Sequence, residues 1–135
     1  MKFEQFVGQV QNRARLPNQG ETMRAICATL ETLGERLNKD EASHLAAQLP
    51  PGVGDYLRLA KNQKSYSLDE FFEQVAERQG AGVDLPDAVY HARVVFEVLQ
   101  EAVTQGQLNN VRDQLPPEYN VLFEAGSEGA MSRTG

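Results

Sequence analysis

Gln48-Leu49-Pro50-Pro51 recurs as Gln114-Leu115-Pro116-Pro117, sixty-six residues further along the chain, and this repeated corner decides how the rest is read. The match extends outward from the tetrapeptide. Ala42, Leu45 and Leu49 map onto Leu108, Val111 and Leu115, while Val53, Tyr56 and Leu57 map onto Tyr119, Leu122 and Phe123. Upstream, Met23, Ile26, Leu30, Leu33 and Leu37 correspond to Val89, Ala92, Phe96, Leu99 and Val103 with one common 3,4,3,4 spacing. Phe3, Phe6, Gln9 and Val10 reappear as Leu68, Phe71, Gln74 and Val75 at an offset of sixty-five. The second copy therefore carries one extra residue in its first loop, where insertions are tolerated.

Every apolar series advances by three or four residues, the period of an amphipathic helix; a half-buried strand would alternate. The pattern predicts eight helices, four per copy, at 2–13, 20–37, 39–48 and 51–60, then 68–79, 86–104, 105–114 and 117–124. Ser67 with Glu70, Asn38 with Glu41, and Thr104 with Gln107 place a capping side chain three residues before Glu or Gln, the spacing that satisfies two free helix-start donors. Pro51 and Pro117 suit the first turn of the last helix in each copy, where a missing N–H is harmless. Pro17 and Pro86 flank the starts of the long helices, with Asp84 or Asp87 favourable at a positive dipole end.

The expected fold class is all-α: two tandem four-helix repeats, residues 2–60 and 68–124, joined by a polar linker at 61–67. Repeats of about 60 residues with narrow apolar stripes are marginal alone, so the two should pack about a pseudo-two-fold axis as one domain over 1–125. The small, polar tail 126–135 is expected to be disordered.

Of 135 residues, 41% are apolar, and 19 acidic against 13 basic residues give a net charge of −6. Such a balance excludes a general attraction to nucleic acid or anionic lipid. Cys27 is the single cysteine and cannot form an intramolecular disulfide or a thiolate zinc cluster by itself. No run approaches the ~20 apolar residues needed to span a bilayer, so a cytoplasmic protein without nucleic-acid or membrane partners is expected. Residues 1–66 hold nine basic and seven acidic residues, whereas residues 67–135 hold four and twelve, so the halves attract.

Arg13, Arg15 and Arg24 gather around the first loop, beside the start of a long helix near Gly20, and are the candidate anion-binding residues. There is no glycine-rich phosphate cradle with them. His44 and His91 fall at different repeat registers, and neither has a second His or Cys at helical spacing, so no metal site is expected. No catalytic motif is present and no cofactor is expected. The outer arc of the second long helix, Tyr90, Arg93, Glu97, Gln100 and Glu101, is a poor phosphate-facing set for a DNA-reading helix. On the same helix Val94 and Val98 project away from the main apolar stripe. Either they pack centrally against Ala28 and Thr32 of the first long helix, the arrangement expected, or they form an exposed interaction surface for a partner or a second copy.

The string from His91-Ala92-Arg93-Val94-Val95-Phe96 to Ala102-Val103, followed by Val111-Arg112-Asp113-Gln114-Leu115-Pro116-Pro117-Glu118-Tyr119, resembles the prokaryotic domain-of-unknown-function family 2267. Phe3-Glu4-Gln5-Phe6 and Leu45-Ala46-Ala47-Gln48-Leu49-Pro50 fit it too, so the resemblance covers residues 2–124. It implies an all-helical, two-repeat cytoplasmic protein and supplies no activity, cofactor or catalytic residue. Gly52-Val53-Gly54 stands where more helix-favouring residues are expected, which leaves the start of the fourth helix open. The expected function is a non-catalytic helical interaction or scaffold module whose partner is a protein or another copy of itself. The alternative is a small-molecule or anion binder, or an enzyme, using a cleft between the copies lined by Arg13, Arg15, Arg24 and the inter-repeat corner.

Overall fold

Seven α-helices and two 3₁₀ helices make up the regular structure of residues 1–124, the part of the chain that the computed structural model describes. In chain order they are α1 (Phe3–Ala14), α2 (Gln19–Arg36), α3 (Lys39–Gln48), the 3₁₀ helix η1 (Gly54–Leu59), α4 (Leu68–Gln79), α5 (Leu85–Ala102), α6 (Gln105–Gln114), the 3₁₀ helix η2 (Pro117–Asn120) and α7 (Val121–Glu124). Among the described residues there is no strand. Helices α1 and α4 have 12 residues each, α2 and α5 have 18, and α3 and α6 have 10. The tail at 126–135 lies outside the described residues.

Helix starts follow the polar caps. Ser67 forms a complete capping box: its hydroxyl accepts from the Glu70 N–H, and the Glu70 carboxylate accepts from the Ser67 N–H. Asn38 and Thr104 cap Glu41 and Gln107 in the same way, at 2.8 and 3.2 Å, but each makes only half a box. The remaining cap N–H is taken across the molecule: Asn38 donates to the side chain of Gln114, and Thr104 to that of Gln48. Glu41 and Gln107, freed from their own caps, are buried and hydrogen-bond to each other.

The fourth helix differs from its expected form. Instead of an α-helix over 51–60, Pro50 is followed by a turn in which Val53 and Gly54 both donate to the Pro50 carbonyl, and only Gly54–Leu59 is helical, as 3₁₀. Gly52 sits at φ +88°, a conformation that interrupts any helix begun at Pro51. The segment is also pressed against its neighbours: a Cβ on Gly54 would lie 2.4 Å from the Ala46 carbonyl oxygen, and one on Gly34 2.4 Å from that of Leu57. In the second half Pro117 does open its helix, but as the first residue of η2, which passes into α7 after one turn.

Helix α1 packs on both α2 and α5, and α4 on both α5 and α2, so each opening helix bridges the long helices. The long helices also contact each other, α3 meets α6, η1 lies on α2 and α3, and α7 lies on α5. The result is one continuous core running from Phe6, Ile26 and Leu30 to Phe71, Phe96 and Tyr119. Phe71 meets Phe96 and Tyr119 edge-on, with ring centroids 6.0 and 5.6 Å apart. Ala28, Thr32, Val94 and Val98 are all buried, so Val94 and Val98 do not form an exposed interaction surface. Both corner leucines, Leu49 and Leu115, are buried as well.

Candidate functional site

Of Arg13, Arg15 and Arg24, Arg13 alone is in an ion pair among the described residues. Arg13 turns toward α5, where its guanidinium donates to Glu101 at 2.8 Å and Glu97 at 3.0 Å. The bonds to Glu101 and Glu97 hold its pKa above the ordinary value, and an anion from solution would have to displace two carboxylates. Arg15 caps the C-terminus of α1 in the left-handed region, φ 57°, and stands exposed at a shallow depression with Gln11, Asn12 and Leu16. Arg24 is exposed on α2. Helix α1 ends between Arg13 and Arg15, and the two side chains have different surroundings.

The outer arc of α5 is also more engaged than its spacing suggests. Arg93 is buried and donates to the Val121 carbonyl, and the Tyr90 hydroxyl donates to the Arg13 carbonyl at 2.6 Å. His91 is buried, with its Nδ1 2.8 Å from the side-chain nitrogen of Gln79, and burial lowers its pKa. His44 is exposed on α3. Cys27 is free and half-buried, and burial raises its thiol pKa, which disfavours the thiolate. Among the described residues no group of three or more His, Cys, Asp or Glu is placed to hold a metal ion. Among them, too, no helix is long and apolar enough to cross a membrane.

A different place in the molecule has the shape of a site. The end of α2, the start of α3, η1 and the strap that follows it enclose a cleft of about 470 Å³, within the ~300–1,000 Å³ range of small-molecule pockets. Gly34 and Leu37 come from α2, Lys39, Ala42 and Ser43 from α3, Leu57 and Arg58 from η1, and Ala60, Lys61, Asn62 and Gln63 from the strap, with Asn38 at the α2–α3 joint. Three cations line it and no carboxylate does. Arg58 has only a long pair, 3.4 Å to Asp55, and lies 3.5 Å from the Ser43 hydroxyl. Lys39 and Lys61 are exposed and make no salt bridge with any described residue.

The strap is held from both halves. The Lys64 N–H donates to the Glu35 carbonyl at 2.6 Å, while Arg36 donates to the Lys64 carbonyl and the Gln63 amide to that of Arg36. The Arg36 guanidinium stacks 5.5 Å from the centre of the Tyr119 ring, and the Tyr119 hydroxyl donates to the Tyr66 carbonyl at 2.9 Å. Sequence reading reached the polar inter-repeat joint but not the cleft, because Lys39 lies far from Arg58 and Lys61 along the chain. The three line one cleft because α3, η1 and the strap meet there.

The molecule is thus an all-helical domain with one core shared by both halves and a ligand-sized basic cleft beside the joint. Residues 3–122 match the family described as uncharacterized conserved protein (DUF2267), and the chain belongs to that family. No curated protein matches the chain.

Proposed function

We propose that this chain is a non-catalytic helical binding module that takes an anion in the cleft between α2, α3, η1 and the strap. The observation that carries the reading is the charge of that cleft: Lys39, Arg58 and Lys61 without a lining carboxylate, on a chain of net charge −6. A local excess of one sign, opposed to the charge of the whole, focuses the field on small anions rather than on polyanionic surfaces. A protein partner enters this reading by presenting an acidic side chain to the same three cations, since Val94 and Val98 belong to the core. The module is assigned to the cytoplasm and built as two tandem repeats about a pseudo-two-fold axis; the paired cap bonds of Gln48 and Gln114 support the repeat relationship.

Titration with inorganic phosphate and with citrate at low ionic strength, followed by amide chemical shifts, tests the anion site. Shifts confined to residues around 34–43 and 57–63, lost on raising the salt and in the Lys39→Glu/Lys61→Glu variant, are expected. Shifts that survive the double substitution unchanged would refute it.

A further inference from the structure

We propose that the ligand of this cleft is an amphiphilic organic anion, a carboxylate or phosphate head carried on an apolar body, and this rests on the anion-binding reading above. The cleft is graded in polarity from floor to rim. Leu37, Ala42 and Leu57, which line it, are buried, whereas Lys39, Arg58 and Lys61 are exposed. The cations come from three separate elements, α3, η1 and the strap, and all are exposed, so a charged head group meets them on the solvent side of the cleft. An inorganic anion held there would leave most of about 470 Å³ filled with water. An apolar body displaces that water and removes apolar surface from solvent, while the head keeps part of its hydration and faces the three cations. A neutral apolar compound would fill the floor but leave the cation rim without a counter-charge. The complementary ligand therefore has both parts.

Calorimetric titration of the full chain with octanoate and octyl phosphate, against inorganic phosphate and 1-octanol, tests the inference and separates the two head groups. Octanoate or octyl phosphate should bind at least about tenfold more tightly than either control. Lys39→Glu/Lys61→Glu should remove that advantage, and Ala42→Phe, which fills the floor, should abolish amphiphile binding while leaving the weak phosphate response. Ala60→Trp fills the cleft from the strap and replaces Ala42→Phe if the latter does not fold. If phosphate binds in a charge-dependent way and the amphiphiles bind no better, the amphiphile inference is wrong and the anion-binding reading stands. If 1-octanol matches octanoate and charge reversal has no effect, or if no probe binds, both are wrong.

Discussion

The side-chain oxygen of Gln48 accepts the backbone N–H of Thr104 at 2.9 Å, completing from α3 the cap that opens α6 in the other half. Gln114, at the end of α6, does the same for Asn38 at the start of α3, also at 2.9 Å. These are the two glutamines of the repeated Gln-Leu-Pro-Pro corners, so the motif has a job beyond ending a helix. Leucine anchors the corner in the core, proline prevents the helix from continuing, and glutamine satisfies a cap donor that its own sequence leaves free.

Gln48→Ala and Gln114→Ala should each lower unfolding free energy by about 0.5–1.5 kcal/mol, the usual net value of one such hydrogen bond. The Gln48 loss should be the larger, because its amide also donates to the Gln107 side chain at 3.3 Å. Urea unfolding of both variants checks this, and a loss in only one would mean that the matched geometry has unmatched energetics.

Between these bonds, Gln107 donates to Glu41, an acceptor facing a donor at equivalent positions of α6 and α3. Gln107→Glu would set two buried carboxylates against each other and raise the folded-state pKa of one above its unfolded value. A carboxyl with a raised pKa stabilises relatively at acid pH and loses that contribution as pH rises. The variant should be about 1–3 kcal/mol less stable than the parent at neutral pH, with the deficit shrinking as pH falls toward about 4. Glu41→Gln, which turns the pair into two neutral amides, should show no such slope. Urea denaturation across the acid range distinguishes the two.

Most of the helix spans were legible because they depend on periodicity and local caps, both written within a few residues. Val94 and Val98 were legible for the same reason: their spacing puts them on a second apolar face, and both are buried. The form of η1 was not, because it depends on how closely two backbones approach. Gly34 lies inside α2, where glycine is ordinarily only a weak helix former, yet it admits Leu57. At the matching position of α5 stands Gln100, whose amide donates to the Leu122 carbonyl at 3.2 Å. Of these two residues, 66 positions apart in sequence, one thus leaves a gap and the other is a hydrogen-bonding arm. The cleft follows from that gap, and it was hidden with it. The partners of Arg13 were hidden for a related reason, since Glu97 and Glu101 reach it from α5.

Gly34→Ala tests the close approach directly. A Cβ there would lie 2.4 Å from a backbone oxygen that cannot rotate away, so η1 must shift. Overpacking of this kind typically costs about 1–3 kcal/mol and should outweigh the gain in helix propensity of about 1 kcal/mol. Gly8→Ala in α1, where a Cβ would meet nothing within 4 Å, should instead be neutral or stabilising. Melting temperatures of the pair read the difference.

Val98→Asp probes the second, buried face of α5. Val98 has no exposed surface, and an unpaired carboxylate there must either be neutralised or open the core. A large fall in melting temperature is expected, less severe at acid pH. A well-folded variant with unchanged melting and altered association would mean that this face is not central.

Tyr119 links the core to the strap, and its ionisation gives a test at the alkaline end. The residue has no exposed surface; its hydroxyl donates to the Tyr66 carbonyl, and burial pushes its pKa up to about 12 although nearby Arg36 opposes the shift. A phenol whose folded-state pKa is raised contributes stability that is fully present below its unfolded value of about 10 and lost as pH climbs toward the folded value. Tyr119→Phe keeps the ring, removes the hydrogen bond and cannot ionise. It should therefore be less stable than the parent by about 0.5–1.5 kcal/mol near neutral pH. Above a pH of about 10 the deficit should narrow, because only the parent gains from deprotonation on unfolding. Tyr56 and Tyr66, whose pKa values are also raised, remain in both proteins and provide a common background. Urea unfolding near neutrality and again at about pH 11 measures the change in the deficit. A deficit of constant size would mean that Tyr119 ionises as readily in the folded protein as in the unfolded chain, contrary to its burial.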